Sequence, residues 1–312
     1  MAPRTVCVSG GAGFIGSHVA EALVRAGHRV LIVDNLSSGR KENVPGGAEF
    51  FELDIRSPQA ADLLRRRGVE ILLHHAAQID VRRSVADPRH DAEVNILGTL
   101  NLVEGGRQGR LQQVVFASTG GAIYGEQEHF PADEEHPTRP LSPYGVAKLA
   151  VERYLYFYHT AYGLDATCLR YANVYGPRQD PHGEAGVVAI FLGCLLRGRP
   201  CTVHGDGLQT RDYVYVGDVV EANLAALGLP GYRIYNVGTG VETDVVTLHR
   251  HLAAAVGVER EPVHGPAKPG EQRRSSISAE KIRQELGVAL ATPLADGLRR
   301  TAEWFAAHLP HP

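Results

Sequence analysis

A chain of 312 residues, 44% of them hydrophobic, is long enough to bury one large core or two smaller ones. Its formal net charge of -3, with no basic cluster, argues against nucleic acid as a partner, because phosphate neutralisation needs a concentrated Lys/Arg face. No apolar run approaches the roughly 20 residues that span a bilayer, and "MAPRTVCVSG" enters a strand pattern with no signal-peptide core; a cytoplasmic protein that binds small molecules and no membrane is expected.

In chain order, strand-like "TVCVSG" leads to a helix over 14–27, strands "RVLIVD" and "FFELDI", and a helix over 58–67. Strand "EILLHHAA", a helix over about 87–106 and strand "QQVVFAST" follow. This alternation predicts an α/β fold with a doubly wound parallel sheet. A helix over about 143–162, a strand "DATCLRYANVYG" and a helix over about 185–197 continue it. From about 177 the pattern loosens into turn-rich segments such as "HGDGLQTRD". The expected division is therefore residues 1–176, with later segments contributing to the sheet, and a smaller interleaved lobe over 177–312, with a ligand cleft between them. Cys7, Cys168, Cys194 and Cys201 lack zinc-type spacing and read as reduced thiols, and the scattered histidines give no metal site.

The first strand-to-helix turn, "VSGGAGFIGSH", places Gly10, Gly13 and Gly16 where backbone can approach a pyrophosphate at the positive end of a helix. Asp34 ends the second strand, where its carboxylate would accept hydrogen bonds from ribose hydroxyls and repel a 2′-phosphate. The fold is thus expected to be of the Rossmann type, with NAD favoured over NADP. Asp54 and Ile55 in "LDI" would flank the adenine, and Ala76, Ala77 and Gln78 in "HAAQ" lie where a cofactor would rest on a strand end.

Further on, "FASTGGAIYG" puts Ser118 and Thr119 at a strand end before a glycine pair that would leave room for a ring to pass. "SPYGVAKL" sets Tyr144 and Lys148 four residues apart on one helix face. A tyrosine that takes a proton from a sugar alcohol near neutrality must lose about three units from its free pKa of about 10. The neighbouring ammonium and a cationic nicotinamide would both favour the phenolate.

These motifs, with "VDNLSSG", "VNILGTLNL", "LRYANVYGPRQ", "RDYVYVGDVV" and "YNVGTG", make the chain resemble the extended short-chain dehydrogenases/reductases, and among them the UDP-glucose 4-epimerases, over nearly its whole length. The resemblance implies a catalytic set of Thr119, Tyr144 and Lys148, with Thr119 preferred over Ser118 as the reacting hydroxyl. It implies Phe14, Ile15, Asn35, Asn95 and Tyr171 near NAD. Asn173 and Val187 would hold the nucleotide, Arg211 and Lys268 the diphosphate, with His204, Glu271, Ser275 and Ser118 as further substrate contacts. Activity would then be NAD-dependent 4-epimerisation of a UDP-hexose through a 4-keto sugar, in a homodimer paired through the helices around 87–106 and 143–162.

Lysine replaces the family's usual arginine at 268, and His204 stands where an aromatic ring often stacks on uracil, so the identity of the base is open. The small Ser275 predicts room for N-acetylhexosamines. Alternatives are a UDP-glucuronate epimerase or decarboxylase, a 4,6-dehydratase, whose resembling members carry Asp-Glu where Gly120-Gly121 stand here, and a non-catalytic NAD-binding module.

Overall fold

The computed structural model describes residues 2–181, 186–267 and 272–309. The chain begins with β1 (Thr5–Ser9), α1 (Phe14–Arg25), β2 (Arg29–Asp34), β3 (Glu49–Glu52), α2 (Pro58–Arg66) and β4 (Ile71–His74). Helices α3 (Val81–Ala86), α4 (Pro88–Ala92) and α5 (Gly98–Arg107) follow, the last two joined by a π-helical segment, Glu93–Leu97. Then come β5 (Gln113–Thr119), the single turn α6 (Gly120–Ile123), α7 (Pro143–Tyr162) and β6 (Asp165–Tyr171). The remainder comprises β7 (Asn173–Tyr175), α8 (Val187–Leu195), β8 (Thr202–His204), β9 (Thr210–Tyr215), α9 (Val216–Ala225) and β10 (Tyr232–Val237). It ends with β11 (Glu242–Asp244), α10 (Val245–Val256), β12 (Val263–Gly265), α11 (Glu280–Leu286) and α12 (Leu294–His308).

Seven strands form one parallel sheet in the order β10-β6-β5-β4-β1-β2-β3. The strand order reverses between β1 and β4, and a crevice opens above the carboxyl ends of strands at such a switch point. Both sheet faces are covered, so its strands are apolar on both sides. Along β1 and β2, Val6, Val8, Val30 and Ile32 enter one core with α1 and α9, while Cys7, Leu31 and Val33 enter another beneath α2, α5 and α7. That split is the two-residue period of a strand.

Helix α7 spans the predicted 143–162. Ser142 caps it, its hydroxyl accepting from Gly145 N at 3.2 Å, Pro143 is its first residue, and Gly163 ends it at φ +70°. The segment predicted as one strand, "DATCLRYANVYG", breaks at Ala172, whose N–H donates to Val237 O at 2.9 Å. β7 thereby leaves the large sheet and pairs with β9 in a three-stranded sheet ordered β11-β9-β7.

After about 197 the sequence reads as glycine, proline and short strands, and short strands do form, yet so do α9, α10, α11 and α12. They are short amphipathic helices between polar loops, and tertiary burial decides them. Phe191, Leu192, Val203, Tyr213, Leu248, Leu252, Leu298 and Phe305 make a third core from α8, β8, β9, α10 and α12. Among the described residues no helix is long and apolar enough to cross a membrane.

Candidate active site

The crevice at the switch point is a cleft lined by Gly10, Gly13, Phe14, Ile15 and Gly16 from the first turn, Asp34, Asn35, Asp54 and Ile55 from the β2 and β3 ends, and Ala76 and Ala77 after β4. Ser118, Tyr144, Lys148 and Tyr171 line its other side. Gly10 sits at φ +71°, and a Cβ there would lie 2.6 Å from Ala76 N; one on Gly16 would overlap the Gly10 carbonyl oxygen. Ser17 N donates to Gly13 O at 3.1 Å as the helix's first turn closes, leaving the N–H groups of Phe14, Ile15 and Gly16 ahead of it at the helix's positive end.

Asp34 Oδ2 accepts from Ala12 N at 3.0 Å and Oδ1 from Leu36 N at 2.8 Å, which fixes the carboxylate at the strand end. Asp54 is held by Arg56 through two side-chain bonds, at 2.9 and 2.8 Å, and by Asn35 Nδ2 at 3.1 Å. The Arg56 guanidinium keeps this carboxyl well below the usual carboxylate range. Glycines that no side chain could replace, open helix N–H groups and a carboxylate fixed at the strand end match the chemistry of a dinucleotide.

Ser118 and Thr119, adjacent in sequence, face opposite sides of the sheet. Ser118 Oγ donates to Glu152 Oε1 at 2.6 Å, and Glu152 is paired in the interior with Arg170 at 2.7 Å. The substrate contact expected of Ser118 is set against that bond, which takes its only proton. A Cβ on Gly121 would lie 3.6 Å from Asn173 Oδ1 and 3.9 Å from Thr119 Oγ1, so Thr119 and Asn173 share the space this glycine leaves. The space expected over Gly120 is filled instead: a Cβ there would meet Ile277 Cδ1 at 2.5 Å.

Lys148 is 4% exposed, donates to Ala117 O at 2.9 Å, and lies 5.8 Å from the Tyr144 ring centroid. Burial brings its pKa down to about 8, opposed by Asp91 and Glu152. Burial pushes the Tyr144 phenol up, and Asp91 adds to it.

Behind the cleft runs a polar seam. Thr99 Oγ1 donates to Asn95 O at 2.7 Å and so accepts from His74 Nε2 at 2.7 Å; Ser9 Oγ then donates to His74 Nδ1 at 2.6 Å. His74 is thereby a neutral ring, and burial pushes its pKa down to about 3. Asn95, expected near the cofactor, fastens the loop after β4: its Oδ1 accepts from Gln78 N and its Nδ2 donates to Gln78 O, both at 2.9 Å. Gln78 lines an adjoining cavity. Tyr171 accepts from Asn223 Nδ2 at 2.8 Å and stacks on His75, 6.4 Å between centroids. Asp91, Glu152 and Asn223 escaped the sequence reading; Asp91, Asn95 and Thr99 at four-residue spacing were the available signal for the first.

Thr119, Asn173, Val187, His204, Arg211 and Ser275 are not among the residues that line this cleft. Val187 opens α8, and His204 ends β8 with Nδ1 at 3.2 Å from Pro266 O. Arg211 donates to Thr210 O at 2.7 Å, whereas Asp212 turns inward to accept from Thr239 Oγ1 at 2.6 Å and Gly240 N at 2.9 Å. Ser275 is buried. Lys268 and Glu271 lie outside the described residues.

Residues 6–238 match the NAD dependent epimerase/dehydratase family, and the chain belongs to it. A UDP-glucose 4-epimerase of Mycolicibacterium smegmatis is 46% identical over 304 residues, 96% of this chain and 97% of that one. The structure of a Thermotoga maritima UDP-glucose 4-epimerase with UDP-glucose superposes with a TM-score of 0.95 at 45% identity, covering 97% of this chain and 99% of the other. That of a Thermus thermophilus UDP-glucose 4-epimerase in complex with NAD gives 0.91 at 46% identity, covering 98% and 100%.

Proposed function

We propose that this chain is an NAD-dependent 4-epimerase of UDP-hexoses, interconverting UDP-galactose and UDP-glucose. The observation that carries the reading is Tyr144 and Lys148 on one face of α7, opening into a cleft built as a dinucleotide cradle. Gly10, Gly13 and the first turn of α1 would hold the pyrophosphate, and Asp34 the ribose. When bound, NAD supplies reversible two-electron oxidation at the sugar's C4, so that the cycle has no net redox change. Tyr144 Oη takes the C4 hydroxyl proton and returns it. Lys148, fixed on the Ala117 carbonyl, carries positive charge beside the phenol, and Thr119 Oγ1 orients the hydroxyl.

Asn173 and Val187 are assigned to the nucleotide and Arg211 to the diphosphate, in a substrate lobe over 177–312 interleaved with an NAD-binding domain over 1–176, to whose sheet later segments such as β10 contribute. Neither Gly120 nor Gly121 can transfer a proton, which disfavours a dehydratase. The chain is assigned to the cytoplasm as a homodimer. Leu97, Val146, Tyr156 and Phe157 on the 87–106 and 143–162 helices are exposed and apolar; a monomeric mass in solution would remove the dimer. Tyr144→Phe is expected to lose about 10²- to 10⁴-fold in rate while retaining NAD. An unchanged rate would remove Tyr144 as the base, and a wild-type protein that holds NAD without turnover would leave only a cofactor-binding module.

A further inference from the structure

Asp91 is a buried carboxylate with no part in the scheme above. It is 1% exposed, on α4, and lines the groove between α4 and α7 with Pro143 and Ala147, the chain neighbours of Tyr144 and Lys148, and with Val146. Its Oδ1 accepts from Asn95 Nδ2 at 2.9 Å and Gln78 Nε2 at 3.1 Å. Two neutral amides hold the carboxylate in place without cancelling its charge. Structural packing alone does not call for a carboxylate here, since burying one is costly unless a positive charge answers it.

The geometry points to Asp91 as the counter-charge of the Tyr144–Lys148 pair: a positioning residue that keeps Lys148 an ammonium and Tyr144 a neutral phenol until cofactor and substrate are in place. Other charged or titratable groups face this pair. Glu152 on α7 is already matched by Arg170 on β6. His74 at the end of β4 and His75 just after it have pKa values brought down to about 3 by burial, and Tyr171 on β6 is pushed up by burial. Asp91 itself has His90 beside it in sequence. Of the two carboxylates acting on Lys148, only Asp91 also acts on Tyr144.

Removing the negative charge weakens the ammonium and eases formation of the phenolate, so both titrations move to lower pH. The chain has four lysines, Lys41, Lys148, Lys268 and Lys281, so NMR of ¹³C,¹⁵N-lysine-labelled protein can follow Lys148 directly, with Lys148→Arg assigning its signal. This arm needs no turnover. In the wild-type holoprotein and in Asp91→Glu the two midpoints are expected to agree, and in Asp91→Asn the midpoint falls by about one unit, a tenfold change in the protonation equilibrium. A midpoint in Asp91→Asn within a few tenths of wild type overturns the proposal. Asp91→Ser, which also removes the charge, takes its place if the Asn variant does not fold.

The second arm rests on the epimerase reading: both limbs of the kcat pH profile should move down together in Asp91→Asn. Lower kcat at every pH with the limbs in place marks a purely structural residue and overturns the proposal. Absence of turnover by the wild-type enzyme sinks the epimerase reading instead and leaves the NMR arm to decide.

Discussion

Ser118 and Thr119 differ by one position and one methyl group, and the strand's two-residue period sets them on opposite faces. Ser118→Ala removes a buried hydrogen bond to a charged acceptor, so about 1.5–3 kcal/mol of stability should go with kcat within a few-fold of wild type. Thr119→Ala should leave stability near wild type and lower kcat about a hundredfold. Urea unfolding beside steady-state rates distinguishes the two, and the opposite pattern would exchange the assignments. The glycine fingerprint, Asp34 and the Tyr144/Lys148 spacing were legible in the sequence because each role admits few residue types. The choice between 118 and 119 was not, because adjacent hydroxyls look alike until a partner such as Glu152, distant in sequence, is placed against one of them.

His74 carries a pH consequence. Its ring is neutral in the fold, with a pKa near 3, against about 6.5 in an unfolded chain. Below pH 6.5 the unfolded chain binds a proton that the folded one excludes. The stability contribution is therefore complete above about pH 6.5 and is lost as pH falls toward 3, by at most about 1.4 kcal/mol per unit. Urea unfolding at pH 7 and pH 5 should show this loss, and His74→Gln should reduce it. An unchanged slope would mean that the ring is protonated inside the protein.

At the level of elements, α7 is the part that must not move. Tyr144, Lys148 and Glu152 recur every four residues along one face, and Arg170 of β6 clamps the third through Nε at 3.0 Å and Nη2 at 2.7 Å. Arg170 also donates to Tyr124 Oη at 3.0 Å, and Tyr124 donates to Asn236 Oδ1 at 2.6 Å, tying β6, the turn after β5 and β10 to the helix. Glu152→Ala would strand a buried guanidinium. A loss of about 3–5 kcal/mol is expected, read from the urea midpoint; a loss under 1 kcal/mol would show the pair to be dispensable. The π-helical Glu93–Leu97 was hidden in the sequence, because its apolar spacing reads as an ordinary helix over 87–106. The polar run Asp91, Asn95, Thr99 looks like a solvated face until α7 and the 75–80 loop are packed on it.

Across the whole molecule, the parallel sheet was readable from alternating apolar runs because both of its faces are buried. The C-terminal helices were not, because α10 and α12 owe their burial to β9 and α8, contacts that no local window contains. This arrangement sets a dinucleotide cleft at the switch point and brings β7, paired with β9, to the space beside Gly121 that Asn173 shares with Thr119. An enzyme with no net redox change has no need to release its cofactor, so the purified protein should carry NAD. The most direct test is to incubate it with UDP-galactose, adding no NAD, and follow the anomeric proton signals. Appearance of UDP-glucose is the predicted result; no conversion even after NAD is supplied would contradict the assignment of this site to UDP-hexose epimerisation.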